Sequence, residues 1–433
     1  MIINNEELRP LLQSRYTSET LARVQRALAE HHTLDFTPLP TGLFPAAHVN
    51  QHSERTGYKS AWVRDNVHIA HALWVTGNAR AAVLNVSALT EFFTRHRHRF
   101  LDVIQDPSLA KVRGNRPHVR FNGEALTELP EKWSHHQNDA LGYFVWLYSK
   151  LALAGEFMPD ASNLETLALF PRYFDAIQYW QDADSGHWEE PPKKIAASSV
   201  GAVLAGLRQM KLWLGGCPDA TREIMAQGTE ERLQKLISHG AAALKAILPW
   251  ESRDSQLSHA RQQDAALLFL IYPLEIVDDC QAEHIVHNVI NHLQGEYGIK
   301  RYLGDSFYCT NYESNLRESD LTRDFGDDIG SRDSFFVAGG EAQWCLFDPI
   351  LSIYYGLSFR RTHDALEFLK QTEYLNRSLG QITGSNGRYG EFQCPELYYL
   401  ERGQCQTSRS TPLLWTQANL SIALKIMAEN LHL

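Results

Sequence analysis

The chain has 433 residues, of which 44% are hydrophobic and 21% charged, and its formal net charge at pH 7 is -10. This composition is typical of a soluble globular protein with a large core. The acidic balance argues against nucleic acid or an anionic membrane as the main partner, because phosphate groups bind basic surfaces. A neutral ligand is the easier expectation.

The amino terminus and the cysteines indicate the compartment. The start "MIINNEELRPLLQ" lacks the basic residues and the apolar run of a secretory signal, and no apolar stretch reaches the length of a bilayer span. The six cysteines are scattered without CxxC spacing, which favours reduced thiols. We therefore predict a cytoplasmic protein without a membrane partner.

Six segments in chain order share one pattern, a polar cluster that leads directly into an apolar, helix-like run. They are "WVRDNVHIAHALWVTG" from Trp62, "HHQNDALGYFVWLYSKLALAG" from His135, "ASSVGAVLAGLRQMKLWLGG" from Ala197, "RQQDAALLFLIYPLEI" from Arg261, "EAQWCLFDPILSIYYGL" from Glu341 and "TPLLWTQANLSIALKIMAEN" from Thr411. Several carry apolar residues on more than one face, which indicates helices that are buried all round.

More amphipathic stretches alternate with these segments. They begin at Thr17, Asn78 and Asn163, and near Thr229, Cys280 and Thr362. Long period-2 runs typical of strands are missing. The pattern predicts a mainly α fold, a toroid of six helical hairpins with the polar ends of the inner helices at one mouth. Since no Ser/Gly/Pro-rich linker divides the chain, we expect one domain over residues 1–433, with residues 1–40 as an amino-terminal helical segment packed on the barrel.

The six-hairpin arrangement predicts a pocket at this mouth, because parallel inner helices bring residues that are distant in sequence together. The predicted lining residues are Trp62, Arg64, Asp65, Gln137, Asp139, Trp188, Glu189, Glu190, Asp264, Arg301, Trp344, Glu396 and Trp415. Indole rings pack against the C–H faces of a pyranose, while carboxylates, amides and arginines bind its hydroxyls. The mouth therefore favours a sugar ligand.

Five motifs, in order along the chain, resemble the glucoamylase family (glycoside hydrolase family 15), and most closely its branch with the amino-terminal domains of the phosphorylase kinase α and β subunits. They are "TGLFPAAHVN…YKSAWVRDNVHIAHALW" from Thr41, W-x-x-x-Q-x-D-A from Trp133, "AASSVG" from Ala196, "LQGEYGIKRYLGDSFY" from Leu293 and "CPELYYLERG…STPLLWTQA" from Cys394. The resemblance runs from about Thr41 to Asn430. It implies an all-α, (α/α)6 barrel, in agreement with the count of six inner and six outer segments.

The resemblance also implies an activity and its residues. Hydrolases of the family remove glucose from the non-reducing ends of α-glucans with inversion, using two carboxylic acids. The implied proton donor is Glu189, and the implied base is Glu396, with Glu401 as a competitor. The sugar contacts that the resemblance implies are Arg64, Asp65, Glu190, Arg301 and Trp344.

Inverting hydrolysis needs a protonated acid beside the leaving oxygen and an ionised base on the opposite face, with carboxyls typically about 6.5–9.5 Å apart. Glu189 and Glu396 lie on loops of different hairpins and are able to span such a gap. Trp188 and Glu190 are suited to raise the pKa of Glu189 as an apolar neighbour and a second ionised acid. The alternative for "DSGHWEEPPKK", from Asp184, is a solvated acidic turn.

Other motif residues have structural alternatives. Arg64 and Asp65 open a helix, where they would also form an ion pair or a cap. Gln137, Asp139 and Asp264 would equally be polar helix-start residues, and Trp344 and Trp415 would equally be core aromatics. Glu341 fits a pocket acid or a helix-start carboxylate, and the acid-rich residues 318–333 fit a rim loop or a solvated charge run.

The histidines in "HRHRF" and "SHH" lack a recognised metal spacing, so we expect no metal and no cofactor. The main functional hypothesis is an inverting, exo-acting α-glucosidase that acts on α-glucans or maltooligosaccharides. A second is a regulatory module, like the phosphorylase kinase domains, that binds carbohydrate without cleaving it. A third is a hydrolase of another α-glucoside, such as trehalose or an α-1,6-linked sugar.

Overall fold

The computed structural model describes residues 2–47, 59–191, 193–217, 229–253, 260–317, 320 and 328–433. Its α-helices are α1 Ser18–Glu30, α2 Val63–Val75, α3 Ala79–Arg95, α4 His98–Gln105, α5 Asn138–Leu153, α6 Ala161–Leu167, α7 Leu169–Ile177, α8 Ala197–Gly215, α9 Thr229–Ile247, α10 Leu268–Ile271, α11 Asp279–Leu293, α12 Tyr312–Asn315, α13 Ile329–Asp333, α14 Phe347–Thr362, α15 Ala365–Gly380 and α16 Leu414–Asn430. The strands are β1 Ala61–Trp62, β2 Arg120–Asn122, β3 Thr127–Glu128, β4 Gln343–Trp344, β5 Leu397–Glu401 and β6 Gln404–Thr407. They form two antiparallel sheets, in the orders β1-β2-β3 and β4-β5-β6.

The inner helices form a closed ring. Helix α2 packs on α5, α5 on α8, α8 on α10, α10 on α14, α14 on α16, and α16 returns to α2. The outer helices α1, α3, α6 with α7, α9, α11 and α15 alternate with them along the chain. The predicted all-α, (α/α)6 barrel of six hairpins is therefore confirmed.

Close helix packing in the ring depends on small residues. A Cβ atom at Gly142 of α5 would lie 2.5 Å from the backbone nitrogen of Val203, and one at Gly206 of α8 would lie 2.6 Å from the carbonyl oxygen of Gly142. No real Cβ atom fits at these distances, so glycine allows the two backbones to approach each other. This explains why two predicted inner segments carry small residues on an otherwise apolar run.

The fourth inner helix is shorter than the predicted run of residues 261–276. It consists of a 3-10 turn, Ala265–Leu267, followed by α10, and it ends at Ile271. Tyr272 has extended backbone angles, φ -141° and ψ 128°, because the ring of Pro273 disfavours a helical conformation at the preceding residue. The helical period of this segment was therefore predicted correctly, but the carboxyl end of the helix was not.

A β-hairpin near the carboxyl terminus was not predicted. Strands β5 and β6 are joined by Arg402 and Gly403, which have φ of 50° and 76°. Positive φ at both residues is the geometry of the tight hairpin turn that matches strand twist, and glycine favours it. The run "LYYLERGQCQT" carries this signal, although each strand is too short to show a clear period of two. The hairpin matters because Glu396 directly precedes β5.

The amino-terminal segment contacts the carboxyl-terminal hairpins. The backbone nitrogen of Asn4 donates to the Gly380 carbonyl, and the Tyr16 hydroxyl donates to Asn376 over 2.6 Å. Helix α1 is the outer helix that precedes α2. The single domain over residues 1–433 stays a prediction. No helix in the described part of the chain is long and apolar enough to cross a membrane.

Two predicted features fall partly outside the described residues. Of the acid-rich residues 318–333, only 320 and 328–333 are described. Of the motif that begins at Thr41, residues 48–58 are not described. The carboxyl end of the acid-rich stretch forms α13, in which Arg332 is 4% exposed. This residue is therefore part of the protein interior rather than of a solvated charge run.

Candidate active site

The loop that carries the predicted proton donor is closed at its base. We call residues 184–194 the acid loop; Pro192 lies outside the described residues. Asp184 and Lys194 form an antiparallel bridge in which each backbone nitrogen donates to the other carbonyl over 3.0 Å. The Asp184 carboxylate also accepts from the backbone nitrogen of Asn138, the first residue of α5, over 2.9 Å. The loop is thereby fixed to the amino-terminal end of an inner helix.

Arg64 connects the acid loop to two inner helices. It lies in the first turn of α2, and its guanidinium donates to Asp139 over 2.6 Å, to Glu189 over 2.9 Å and to Gln137 over 3.4 Å. Burial raises the pKa of the Asp139 carboxyl, but Arg64 outweighs burial and holds it below its ordinary value. Asp139 and Gln137 are 0% and 1% exposed. Both support Arg64 in this structure, and their contact with a ligand stays a prediction.

Glu189 has an unusual backbone and an unusual acidity. Its φ is 59°, in the left-handed region that a residue with a Cβ adopts only under constraint. Burial raises the pKa of its carboxyl to about 7, against the lowering effect of Arg64, and nearby Asp65 raises it further. Burial likewise raises the pKa of Asp65 to about 6. A carboxyl with a pKa near neutrality is suited to donate a proton at neutral pH.

Glu190 has the opposite environment to that of Glu189. One oxygen accepts from Arg301 over 2.6 Å and from Arg332 over 2.8 Å, and the other accepts from the Tyr302 hydroxyl over 2.5 Å. Burial raises the pKa of the Glu190 carboxyl, but the arginines outweigh burial and hold it well below its ordinary value. Burial and Asp65, rather than the expected effect of Glu190, are the main causes that raise the pKa of Glu189.

An aromatic group surrounds Arg301. Its guanidinium carbon lies 5.1 Å from the Trp188 ring centroid and 5.0 Å from those of Trp344 and Phe307. Arg301 also makes a bidentate ion pair with Asp305, over 2.6 and 2.7 Å. Both the ion pair and the ring faces stabilise the buried cation. The predicted residues Trp188, Arg301 and Trp344 are therefore neighbours, although they belong to three different segments of the sequence.

Asp264 acts as a helix cap that also orients Trp188. Its carboxylate accepts from the backbone nitrogen of Ala266 over 2.8 Å, from the Trp188 indole over 3.0 Å and from Arg261 over 3.1 Å. Asp264 is 0% exposed. The helix-start alternative for this residue agrees with the geometry, and a direct ligand contact stays a prediction.

Two tryptophans flank the Arg64 side. Trp62 directly precedes α2 and packs edge-on against Trp133, while Arg120 lies over both rings at 5.0 and 4.3 Å. Trp415, in the first turn of α16, has its ring centroid 6.0 Å from the Arg64 guanidinium carbon. Both predicted tryptophans, 7% and 5% exposed, therefore lie next to buried arginines as well as against the core.

The two candidate bases have different surroundings. Glu396 directly precedes β5, is 3% exposed, and accepts from the Ser408 hydroxyl over 2.9 Å. Its backbone carbonyl accepts from Cys345, next to Trp344. Glu401 lies at the other end of β5, where its carboxylate accepts from the backbone nitrogen of Glu313 over 3.1 Å and from the Ser314 hydroxyl. Glu401 is therefore engaged with the start of α12.

Several residues at the site were missed by sequence reasoning. They are Arg120, Asp184, Tyr302, Asp305, Arg332 and also His187, whose ring nitrogen lies 3.6 Å from the Asp139 carboxylate. Tyr302 and Asp305 lie within "KRYLGDSFY", so their position beside Arg301 gave a signal, while Arg332 gave none because the stretch around it reads as a charge run. Glu341, for which the sequence allowed a pocket acid or a helix-start carboxylate, accepts from Lys300 over 2.8 Å and so holds the segment that carries Arg301. Among the described residues, no group of three His, Cys, Asp or Glu is arranged to hold a metal ion.

The opposite environments of the adjacent acids predict opposite effects on stability. The raised pKa of Glu189 means that ionisation costs stability as pH rises from 4.5, the ordinary value, through about 7. Glu189→Gln should therefore stabilise the protein, by about 2 kcal/mol more at pH 8 than at pH 5. The pKa of Glu190 is lowered, so its ionised form contributes stability that is lost only as pH falls below the ordinary value.

Glu190→Gln is the matched control and should destabilise the protein at pH 8 by about 3 kcal/mol, because it leaves buried arginines without their charged partner. Urea unfolding of both variants and of wild type at pH 5 and pH 8 measures these differences. Destabilisation by Glu189→Gln at pH 8 would contradict the raised pKa.

The comparisons with known proteins agree with the fold. The family "Glycosyl hydrolases family 15" matches residues 28–420, so the chain belongs to this family. It is similar to a probable phosphorylase b kinase regulatory subunit alpha of Drosophila melanogaster, with 26% identity over 298 residues. That alignment covers 62% of this chain and 22% of the relative, so this chain spans about a fifth of the relative's length.

Solved structures share the fold. A glycosidase variant in complex with glucose has a TM-score of 0.64 and 20% identity, and the match covers 95% of this chain and 99% of that one. A bacterial glucoamylase in complex with acarbose has a TM-score of 0.56 and 16% identity, over 90% and 53% of the two chains. The phosphorylase-kinase-like resemblance and the family assignment from the motifs are thus confirmed, and the neighbours are glycosidases and glucoamylases.

Proposed function

We propose that this protein is an inverting, exo-acting α-glucosidase that releases β-glucose from the non-reducing ends of α-glucans or maltooligosaccharides. The observation that carries the proposal is Glu189 in a glycosyl hydrolase family 15 barrel, whose side chain is only 17% exposed and whose carboxyl has its pKa raised by burial to about 7. Such a group is protonated in a large fraction of molecules at neutral pH and is able to donate to a leaving oxygen.

In the proposed step, Glu189 donates its proton to the glycosidic oxygen as the bond from that oxygen to the anomeric carbon breaks. Glu396 takes a proton from the water that forms the new bond to the anomeric carbon from the opposite face. The leaving chain departs as an alcohol, and the glucose carries the β configuration. Arg64 donates to one oxygen of Glu189, so the acidic proton belongs on the other.

The proposed substrate contacts come mainly from residues around Glu189 and Glu190. Arg64 and Asp65 would bind hydroxyls of the terminal glucose, with Trp62 and Trp415 at its faces. Glu190, Arg301 and Trp344 would contact the sugar from the largely buried cluster that they form, and Trp188 would shield the proton donor from water. Gln137, Asp139 and Asp264 would hold these groups in place.

The proposal is tested by following maltotriose and maltoheptaose hydrolysis by proton NMR in the first minutes. The expected first product is β-glucose, which later mutarotates. A preparation of the doubly substituted Glu189→Gln, Glu396→Gln protein controls for contaminating glucosidase. First appearance of α-glucose, or no turnover of any α-glucoside by wild type, would overturn the proposal.

A second candidate is a carbohydrate-binding regulatory module. The observation that favours it is the similarity to regulatory subunits, together with the Arg64 to Glu189 contact of 2.9 Å, which stabilises an ionised Glu189. Binding of maltoheptaose in a calorimeter with no product after days would support this reading. Trehalose and isomaltose in the same NMR panel test the third candidate, a hydrolase of another α-glucoside.

A further inference from the structure

The strained conformation of Glu189 requires anchors on both sides. Left-handed φ at a residue with a Cβ persists only where the surrounding structure over-determines it. On one side, the indole of Trp188 donates to both oxygens of Asp264, over 3.0 and 3.1 Å. On the other side, the carboxylate of Glu190 accepts from three donors. The direction of the Glu189 carboxyl thus depends on how firmly Glu190 is held.

Arg332 is the anchor of Glu190 that comes from outside the neighbouring loop. Arg301 and Tyr302 are adjacent in sequence, whereas Arg332 belongs to α13. Its guanidinium donates to Glu190 over 2.8 Å and to the Ser306 hydroxyl over 2.9 Å, and Ser306 donates in turn to Asp333 over 2.5 Å. Arg332 is 4% exposed. The pairing therefore connects α13 to the acid loop through a buried, charge-assisted contact.

Arg332 also balances the negative charge of the carboxylates around Arg301. Glu190 and Asp305, 3% and 0% exposed, bring two carboxylates to a buried region, and two hydrogen bonds of Arg301 already go to Asp305. Without Arg332, one Glu190 oxygen would keep a single cationic partner in a medium where unpaired charge is costly. Loss of this partner would loosen Glu190 and, through the peptide bond, Glu189.

We propose that Arg332 is a positioning residue for catalysis, which acts through Glu190 to aim the proton donor Glu189. This inference rests on the proposed glucosidase function. The Arg332 guanidinium donates to Glu190 and Ser306, and its carbon lies 5.8 Å from the Phe307 ring centroid. In this proposal Arg332 acts through Glu190 and makes no substrate contact. A positioning role predicts a loss in kcat rather than in KM, because misplacing a reacting group by about 1 Å costs up to about 100-fold in rate.

The test compares Arg332→Met, Arg332→Lys and a matched control, Arg317→Met, whose side chain is 83% exposed. Arg332→Met should lower kcat on maltoheptaose by about 10- to 100-fold with KM changed less than about threefold. Arg332→Lys should recover part of this loss, since it restores the charge without the planar fork. Arg317→Met should match wild type.

A double-mutant cycle with Glu190→Gln separates positioning from general damage. If Arg332 acts through Glu190, the double variant should be little worse than the worse single variant. Three results would each overturn the inference. The first is additive losses in the cycle, and the second is a kcat of Arg332→Met within twofold of wild type. The third is a folded Arg332→Lys protein whose kcat is no higher than that of Arg332→Met. If Arg332→Met does not fold, the same cycle is run with Arg332→Lys.

Failure of the proposed glucosidase function can be distinguished from failure of the positioning role of Arg332. If wild type turns over no α-glucoside, the glucosidase proposal fails, and crystal structures of wild type and Arg332→Met then test the positioning alone. The expected result is a positive φ at Glu189 in wild type and its loss in the variant. An unchanged Glu189 in the variant would overturn the inference by itself.

Discussion

Glu189→Gln is expected to lower kcat for maltoheptaose hydrolysis by about 1,000- to 10,000-fold, because an amide has no proton to donate to the leaving alkoxide. The amide keeps the size of the side chain and an oxygen that still accepts from Arg64. Substrate binding should therefore survive, and KM should change much less than kcat. Initial rates measured by glucose release over a range of maltoheptaose concentrations give both constants.

The leaving group provides an internal control for Glu189→Gln. α-Glucosyl fluoride releases fluoride, which departs without a proton, so its hydrolysis should fall far less than that of maltoheptaose. Equal losses on both substrates would indicate that the substitution damages the pocket as a whole. Retention of maltoheptaose hydrolysis within tenfold of wild type would remove Glu189 from the role of general acid.

Glu396→Gln is expected to lower kcat by a similar factor, about 1,000-fold or more, on both substrates. The reason is that water must lose a proton as it attacks, whatever the leaving group. Loss on both substrates distinguishes the base from the acid, whose substitution spares the fluoride. The same initial-rate assays measure the effect, and the calorimetric affinity for maltoheptaose should stay within about tenfold of wild type.

Glu401→Gln is the matched control for the base. Its carboxylate is engaged with Glu313 and Ser314 at the start of α12, so this variant should keep kcat within about threefold of wild type while its melting temperature falls by a few degrees. The reverse pattern, with Glu401→Gln inactive and Glu396→Gln active, would assign the base to Glu401. The regulatory function is favoured if wild type has no activity and both variants, Glu189→Gln and Glu396→Gln, bind sugar with the affinity of wild type.

Much of the fold was predictable because helical period is a local property. The six apolar runs with polar starts became the inner helices, and the end of the fourth was misjudged only where Pro273 stops it. The hairpin of β5 and β6 was missed because its strands of five and four residues show no clear alternation. Short strands take their stability from cross-strand neighbours rather than from their own sequence.

The site was predictable to the extent that its residues stand in contiguous motifs. Arg64 with Asp65 and Trp188 with Glu189 belong to such motifs, and the structure brings these segments together. Arg332 and the pairing of Arg64 with Asp139 were not predictable, since those contacts join segments 142 and 75 residues apart. No periodicity or propensity encodes a pairing over that distance.

Glu189 and Glu190 separate what the sequence by itself determined from what tertiary structure decided. The sequence determined that two adjacent carboxyls follow a tryptophan on a loop between an outer and an inner helix. Different roles for the two carboxyls are implied only by the resemblance to the family, and their ordinary pKa, which is the same for both, does not distinguish them. The tertiary structure does so, because a pKa depends on burial and on charges that other segments bring. Burial raises the pKa of one acid to about 7, and arginines from distant segments keep its neighbour ionised.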